Sequence, residues 1–268
     1  MKKLIKLGLA LLTLTLVLTG CTTEKKDTVI KVGASITPHA EILEVIKPLV
    51  EAKGYTLEIV EFTDYVLPNT NLNEEELDAN YFQHVPYLTD FNAENGTKIV
   101  SVLAVHFEPL GLYPGKTASI DLLADGAKIA VPNDATNEAR ALNLLQDLGL
   151  ITIDPSKKET ATKLDIISNP RNFEIVELEA AQLARALVDV DLAVINGNYA
   201  LEAGITSTVL TTEDKDSDAA LKYANILAVK EGNETSEKTL VLIEALNSAE
   251  VKQFIQDNYY PVVISVTE

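Results

Sequence analysis

Few residues in this 268-residue chain are of a type and spacing that could do chemistry. The three histidines, His39, His84 and His106, stand far apart among forty acidic residues. Residue types alone therefore leave open a metal site made by convergence. No enzyme motif stands out: there is no Gly-x-Ser-x-Gly elbow, no Gly-x-Gly-x-x-Gly turn, no Walker loop and no His-Glu-x-x-His. Arg140 is more suggestive. It falls in the first turn of a helix expected after a strand at 128–131, where unpaired backbone N–H groups favour an anion. Taken singly, Arg140 also reads as a surface cation, Tyr65 and Phe82 as core aromatics, and His84 as a hydrogen-bonded structural histidine. Asn196, before Gly197, reads as a turn residue.

The elements that must position these residues alternate between strand-like and helix-like, which argues an α/β fold. Strands are expected at 29–34, 55–62, 98–107, 128–131, 165–167, 173–178 and 191–195. A helix over 39–53 is marked by Ile42, Leu43, Ile46, Leu49 and Val50, closed by Gly54 and kinked or divided by Pro48. Asn71 or Asn73 before Glu74, Glu75 and Glu76 reads as the cap of a short helix over that acidic run. Further helices are expected at 119–125, 137–148, 179–188 and 237–258, the last interrupted near Ser248. Tyr65, Phe82 and Asn196 would each follow a strand, where ligands bind in open α/β sheets.

The chain begins with Lys2, Lys3 and Lys6, an apolar run over 7–18, and Leu18-Thr19-Gly20-Cys21. A charged start, a short apolar stretch and small residues at the end describe a secretory signal peptide over 1–20. A run of twelve is short for a transmembrane helix, which needs about 20 apolar residues. Cys21 is the only cysteine, so an intramolecular disulfide does not explain it. The polar stretch 21–28 suits a tether. Removing 1–20 deletes three lysines and no acidic residue, taking the net charge from −18 to −21. So acidic a chain is a poor partner for nucleic acid or for anionic headgroups. Met1 is the only methionine, so Cys21 would carry the one sulfur of the mature protein.

Five ordered segments carry a resemblance. They are Phe62-Thr63-Asp64-Tyr65-Val66-Leu67-Pro68-Asn69, Asp78-Ala79-Asn80-Tyr81-Phe82-Gln83-His84-Val85-Pro86-Tyr87-Leu88, Val131-Pro132-Asn133-Asp134-Ala135-Thr136-Asn137-Glu138-Ala139-Arg140-Ala141-Leu142, Glu177-Leu178-Glu179-Ala180-Ala181-Gln182-Leu183, and Ala193-Val194-Ile195-Asn196-Gly197-Asn198-Tyr199-Ala200. Together they resemble the methionine-binding lipoproteins of the NlpA/MetQ type over nearly the whole mature chain, and Leu-Thr-Gly-Cys resembles a lipobox. The chain departs from that family at Ala184, where Pro is frequent. It also has a longer stretch before Asn225, where Ser-Pro-Tyr is frequent.

The resemblance implies a two-lobed periplasmic-binding fold of type II with the ligand in the interlobe cleft. Lobe one would combine 29–111 with 226–268, and lobe two would be 112–225, with crossings near 110–114 and 218–225. It implies a substrate-binding protein of an ABC importer, not an enzyme, with Cys21 lipidated on the extracytoplasmic face of the cell membrane. The partners would be a free amino acid, the permease and ATPase complex, and the membrane through the lipid, with no cofactor, resident metal or nucleic acid. The expected ligand is methionine: the L-isomer, the D-isomer or a Met-containing dipeptide. A metal-binding importer lipoprotein and a binder of another amino acid are the alternatives.

The implied site comprises Tyr65, Phe82, His84, Tyr87, Glu108, Asn137, Arg140, Asn196 and Asn225. Arg140 would clamp the α-carboxylate through two parallel bonds, and Asn196 and Asn225 would serve the ligand's backbone groups. Glu108 would take the ammonium. The thioether would lie against Tyr65, Phe82 and Tyr87, with His84 beside them.

Overall fold

The computed structural model describes residues 28–215 and 218–267, so the expected signal peptide and Cys21 lie outside the described residues. The chain opens with β1 (Val29–Ser35), a turn carrying His39, α1 (Glu41–Ala52) and β2 (Thr56–Phe62). It continues through α2 (Leu67–Asn73), β3 (Ala79–His84), α3 (Val85–Asn95) and β4 (Ile99–Phe107). Next come β5 (Gly111–Pro114), β6 (Lys128–Pro132), α4 (Ala135–Asp147) and the short strands β7 (Thr152–Ile153) and β8 (Ile166–Ser168). Then follow β9 (Glu174–Leu178), α5 (Leu183–Ala186), β10 (Leu192–Ile195), α6 (Gly197–Glu202) and β11 (Thr211–Thr212). The chain closes through α7 (Asp218–Lys222), β12 (Asn225–Lys230), α8 (Glu237–Leu246), α9 (Ala249–Asn258) and β13 (Ile264–Ser265).

Two main sheets result. One has the order β13-β4-β12-β3-β1-β2 and the other β11-β5-β10-β6-β9. The chain passes from the first to the second between β4 and β5, and returns between β11 and β12. Because β5 starts at Gly111, the first passage is Glu108–Pro109–Leu110, a few residues before the expected position. In the first sheet β1 lies parallel to both β2 and β3, whereas β12 enters antiparallel between β3 and β4. In the second, β6 lies parallel to β9 and β10. Each sheet buries its own core. Ile30, Val32, Ile42, Ile46, Leu227 and Leu246 pack in the first, and Leu112, Ile129, Leu142, Leu145 and Val194 in the second. Burial of such side chains contributes roughly 1.5–3 kcal/mol each.

Three expectations need correcting. Pro48 does not divide α1, which runs unbroken from Glu41 to Ala52; Glu44 and Pro48 lie on its exposed face, where the carbonyl left without an N–H partner can meet water. The acidic run is not a helix. The helix precedes it as α2, whose first N–H groups at Val66 and Leu67 are held by Asp64 at 2.7 and 2.8 Å, and left-handed Glu75 (φ 64°) stops the chain after it. The expected helices at 119–125 and 179–188 shrink to a 3-10 turn at Ile120–Leu122 and to Ala180–Gln182 followed by α5. The break at Ser248 is present, where Ser248 caps α9 by accepting from Val251 N–H.

An acidic pair joins α4 to β9. Glu138 is buried and accepts from the N–H of Lys163 at 2.7 Å, and its carboxyl hydrogen-bonds that of Glu177. Burial first, then Glu177, pushes Glu138 up to about 7, while Lys163 holds Glu177 low. A folded-state carboxyl raised above its ordinary value of 4.5 costs stability as pH climbs from that value through about 7. The Glu138→Gln variant keeps a donor for Glu177 and an acceptor for Lys163 but never ionises. Thermal melts from pH 4.5 to 8 should show the wild-type midpoint falling with pH, and the variant a few degrees more stable at pH 8. Parallel curves would refute this assignment.

Candidate functional site

The register of the first sheet builds one wall of a cleft. Asn225, the first residue of β12, stands opposite His84 at the end of β3 and His106 near the end of β4. Glu108 follows two residues after His106. The other wall comes from strand-to-helix turns. Asp134 caps α4 after β6, setting Asn137 and Arg140 in its first turns, and Asn196 ends β10 at the start of α6. His84 and Asn196 thus stand at the carboxyl ends of β3 and β10, whereas Asn225 enters from the amino end of antiparallel β12. Phe82 is the exception to expectation: it lies within β3 rather than after it.

All nine expected residues line one pocket, together with Gln83, Gly197 and Asn198. Its aromatic side is a box. Tyr65 lies 5.8 Å from Phe82, 5.9 Å from Tyr87 and 5.1 Å from Tyr199 between ring centroids. The two walls are hydrogen-bonded to each other. Tyr65 donates to Asn198 Oδ1 at 2.5 Å, Tyr199 donates to the Thr63 carbonyl at 3.1 Å, and His84 meets Asn137 at 3.1 Å.

The polar side has a definite donor and acceptor pattern. Asn137 spends its amide on the protein. Its Nδ2 donates to Asp134, and its Oδ1 accepts from His84, from Arg140 Nη1 at 3.2 Å and from Asn196 Nδ2 at 3.2 Å. With that donor engaged, Asn196 Oδ1 is a buried acceptor with no protein partner. Asn225 is the reverse: His39 Nε2 holds its Oδ1 at 2.9 Å, which turns Nδ2 into the free end. His84 Nδ1 accepts from Tyr87 N–H, so Nε2 carries the proton to Asn137. Burial, then the charge of Arg140, lowers His84 to about 3 and keeps it neutral.

Arg140 departs most from expectation. Its Nε and Nη2 edge is already bound by Glu213, at 3.1 and 2.6 Å. Glu213 also accepts from Leu110 N–H at 2.8 Å, and Tyr223 lies under the guanidinium at 4.4 Å. The two-bond face is therefore occupied, and Nη1 is the edge that remains with Asn137. Glu213 lies 73 residues away from Arg140, and no local spacing announces the pair. Behind the cavity, His39 and His106 converge on Glu108, while His84 pairs elsewhere. Burial raises Glu108, with His39, the Asn198 N–H and Arg140 opposing that rise.

A family model described as NlpA lipoprotein matches residues 30–266. The chain belongs to the NlpA lipoprotein family. It is 42% identical to the D-methionine-binding lipoprotein MetQ of Salmonella typhi over 88% of each chain. Among solved structures, a nutrient-binding protein of Burkholderia cenocepacia bound to methionine is 41% identical, with a TM-score of 0.83 over 88% of this chain and 99% of that one. The periplasmic substrate-binding protein of an ABC transporter from Coxiella burnetii is 40% identical, with a TM-score of 0.82 over the same shares. This NlpA chain thus has the two-lobed α/β fold of substrate-binding proteins.

Proposed function

We propose that this chain is the methionine-binding component of an ABC importer. The observation that carries this reading is the division of one pocket into an aromatic box and a polar end that suits an amino-acid head. Glu108 and the unpartnered Asn196 Oδ1 are acceptors for an ammonium. Arg140 Nη1 and Asn225 Nδ2 are donors for a carboxylate. Tyr65, Phe82 and Tyr87 form an apolar wall for a thioether, with His84 beside it and Asn137 holding Arg140, His84 and Asn196 in place. The methionine-bound relative supports the choice of ligand. Isothermal titration against L-methionine, D-methionine, leucine and alanine tests it, with native mass spectrometry of the protein as purified. Methionine should bind most tightly; indifference to both isomers would overturn the reading.

The two sheets support a division into lobes at 29–111 plus 226–268 and 112–225, hinged where the chain crosses. The loaded protein would deliver its ligand to a permease with its ATPase, on the extracytoplasmic face. Anchoring falls to a lipid on Cys21, because so acidic a surface is repelled by anionic headgroups. Cys21→Ala should move the protein from the membrane pellet to the soluble fraction. A variant that stays in the pellet would remove the lipid from the account.

A further inference from the structure

Behind the ligand cavity lies a polar cluster of which the reading above uses only Glu108. His106 is fully buried, with Nε2 2.7 Å from Glu108 Oε1 and Nδ1 hydrogen-bonded to the hydroxyl of Tyr81, also fully buried. His39 closes the cluster, its Nε2 3.5 Å from the same carboxylate oxygen. From the other side, Gly197 presses against Glu108: a Cβ there would stand 2.8 Å from the Cβ of Glu108. The carboxylate is held from both faces.

We infer that His106, oriented by Tyr81, is a positioning residue that holds Glu108 ionised and aimed at the ligand's ammonium; this rests on the reading of Glu108 given above. A carboxylate only accepts, so His106 Nε2 carries the ring proton and Nδ1 accepts from Tyr81. Glu108 thereby fixes the tautomer, and the Tyr81 hydroxyl satisfies the ring nitrogen that remains. A buried carboxylate needs a donor. A lysine or arginine at position 106 would supply one and cancel the negative charge the ammonium needs. A neutral imidazole donates a hydrogen bond and leaves that charge in place. Burial lowers His106 to about 3 and His39 to about 4, so both stay neutral across physiological pH.

The same three residues are those that could take a metal, their ligand atoms lying within 4.8 Å of one another. Each histidine Nε2, however, already faces an acceptor, Glu108 for His106 and Asn225 for His39. An ion bound at both Nε2 atoms would have to displace two protons and break both bonds. The cluster is built for hydrogen bonds.

The test compares L-methionine with its 2-hydroxy analogue, in which a hydroxyl replaces the ammonium, by isothermal titration. The variants are His106→Phe, Tyr81→Phe and Glu108→Gln, each checked for folding by circular dichroism. Tyr81→Phe removes one oxygen atom and keeps the positioning claim testable if His106→Phe fails to fold. Both should weaken methionine by roughly 5- to 150-fold, the range expected for leaving a buried polar group unpaired. The hydroxy analogue should change by no more than about threefold. Equal loss for both ligands would mean packing alone and would overturn the proposal. Glu108→Gln separates the two levels. If it leaves the discrimination intact, the ammonium assignment falls and this inference with it. If it abolishes discrimination while the His106 and Tyr81 variants do not, only the positioning role falls. Stoichiometric zinc uptake by the wild type in competition with methionine would also overturn it.

Discussion

Arg140→Ala should lower methionine affinity by about 3–5 kcal/mol, roughly 150- to 5,000-fold, more than a lost hydrogen bond would cost. The excess comes from Glu213. In the native chain its carboxylate is matched by the guanidinium at 2.6 Å, with only 12% of its side chain exposed. Without Arg140 that charge faces the incoming ligand carboxylate unneutralised, so removing one cation adds a repulsion as well as losing an attraction. The double variant Arg140→Ala/Glu213→Gln should therefore bind better than Arg140→Ala alone. Arg140→Lys should be weak too, because one ammonium cannot hold Glu213, Asn137 and a ligand in three directions. Titration calorimetry on the four proteins decides it. Near-native affinity in Arg140→Ala would remove the cation from the site, and no recovery in the double variant would remove the repulsion.

The second large effect concerns selectivity. Phe82→Ala should reduce methionine binding by roughly 1.5–3 kcal/mol, the transfer energy of a buried methionine side chain, while hardly changing the already weak binding of alanine. Phe82 is buried and stands 6.1 Å from Tyr87 and 5.8 Å from Tyr65, so its loss opens the box on one side. A sulfur–aromatic contact adds about 0.3–1.5 kcal/mol, and norleucine, which lacks the sulfur, should lose less than methionine. Measured side by side, equal losses for methionine and alanine would show that Phe82 supports the fold of the pocket and does not contact the side chain.

How much of this was legible in the chain depended on how local the signal was. Arg140 and Asn196 sit at strand-to-helix turns, where apolar runs, a capping Asp134 and Gly197 announce the geometry within a few residues. β3 was obscured because its polar residues are buried. Asn80 and Gln83 sit with Asn69 in a closed amide network, Asn80 Nδ2 to Asn69 Oδ1 at 2.8 Å and Gln83 Nε2 to the same oxygen at 2.7 Å. Such a strand shows no apolar alternation. The occupied edge of Arg140 and the convergence of His39 with His106 were invisible for another reason. They depend on partners 73 and 67 residues away and on the register of β12 against β4. The family resemblance names the members of the site. Which edge of each member is free follows only from the contacts.

The insertion of β12 between β3 and β4 bears on the order in which the chain can assemble during synthesis. Every strand of the second sheet lies between Gly111 and Thr212, so that sheet is complete once a continuous stretch has emerged. The first sheet has β1 to β4 early but lacks a middle member until Lys230 has been made. Until then β3 and β4 have no strand to bridge them, and their facing edges are open to mispairing. Long-range pairing of this kind is slow because loop closure precedes its reward. The lobe that begins first therefore finishes last, and the strand that bridges β3 and β4 is also the one that brings Asn225 to the cleft.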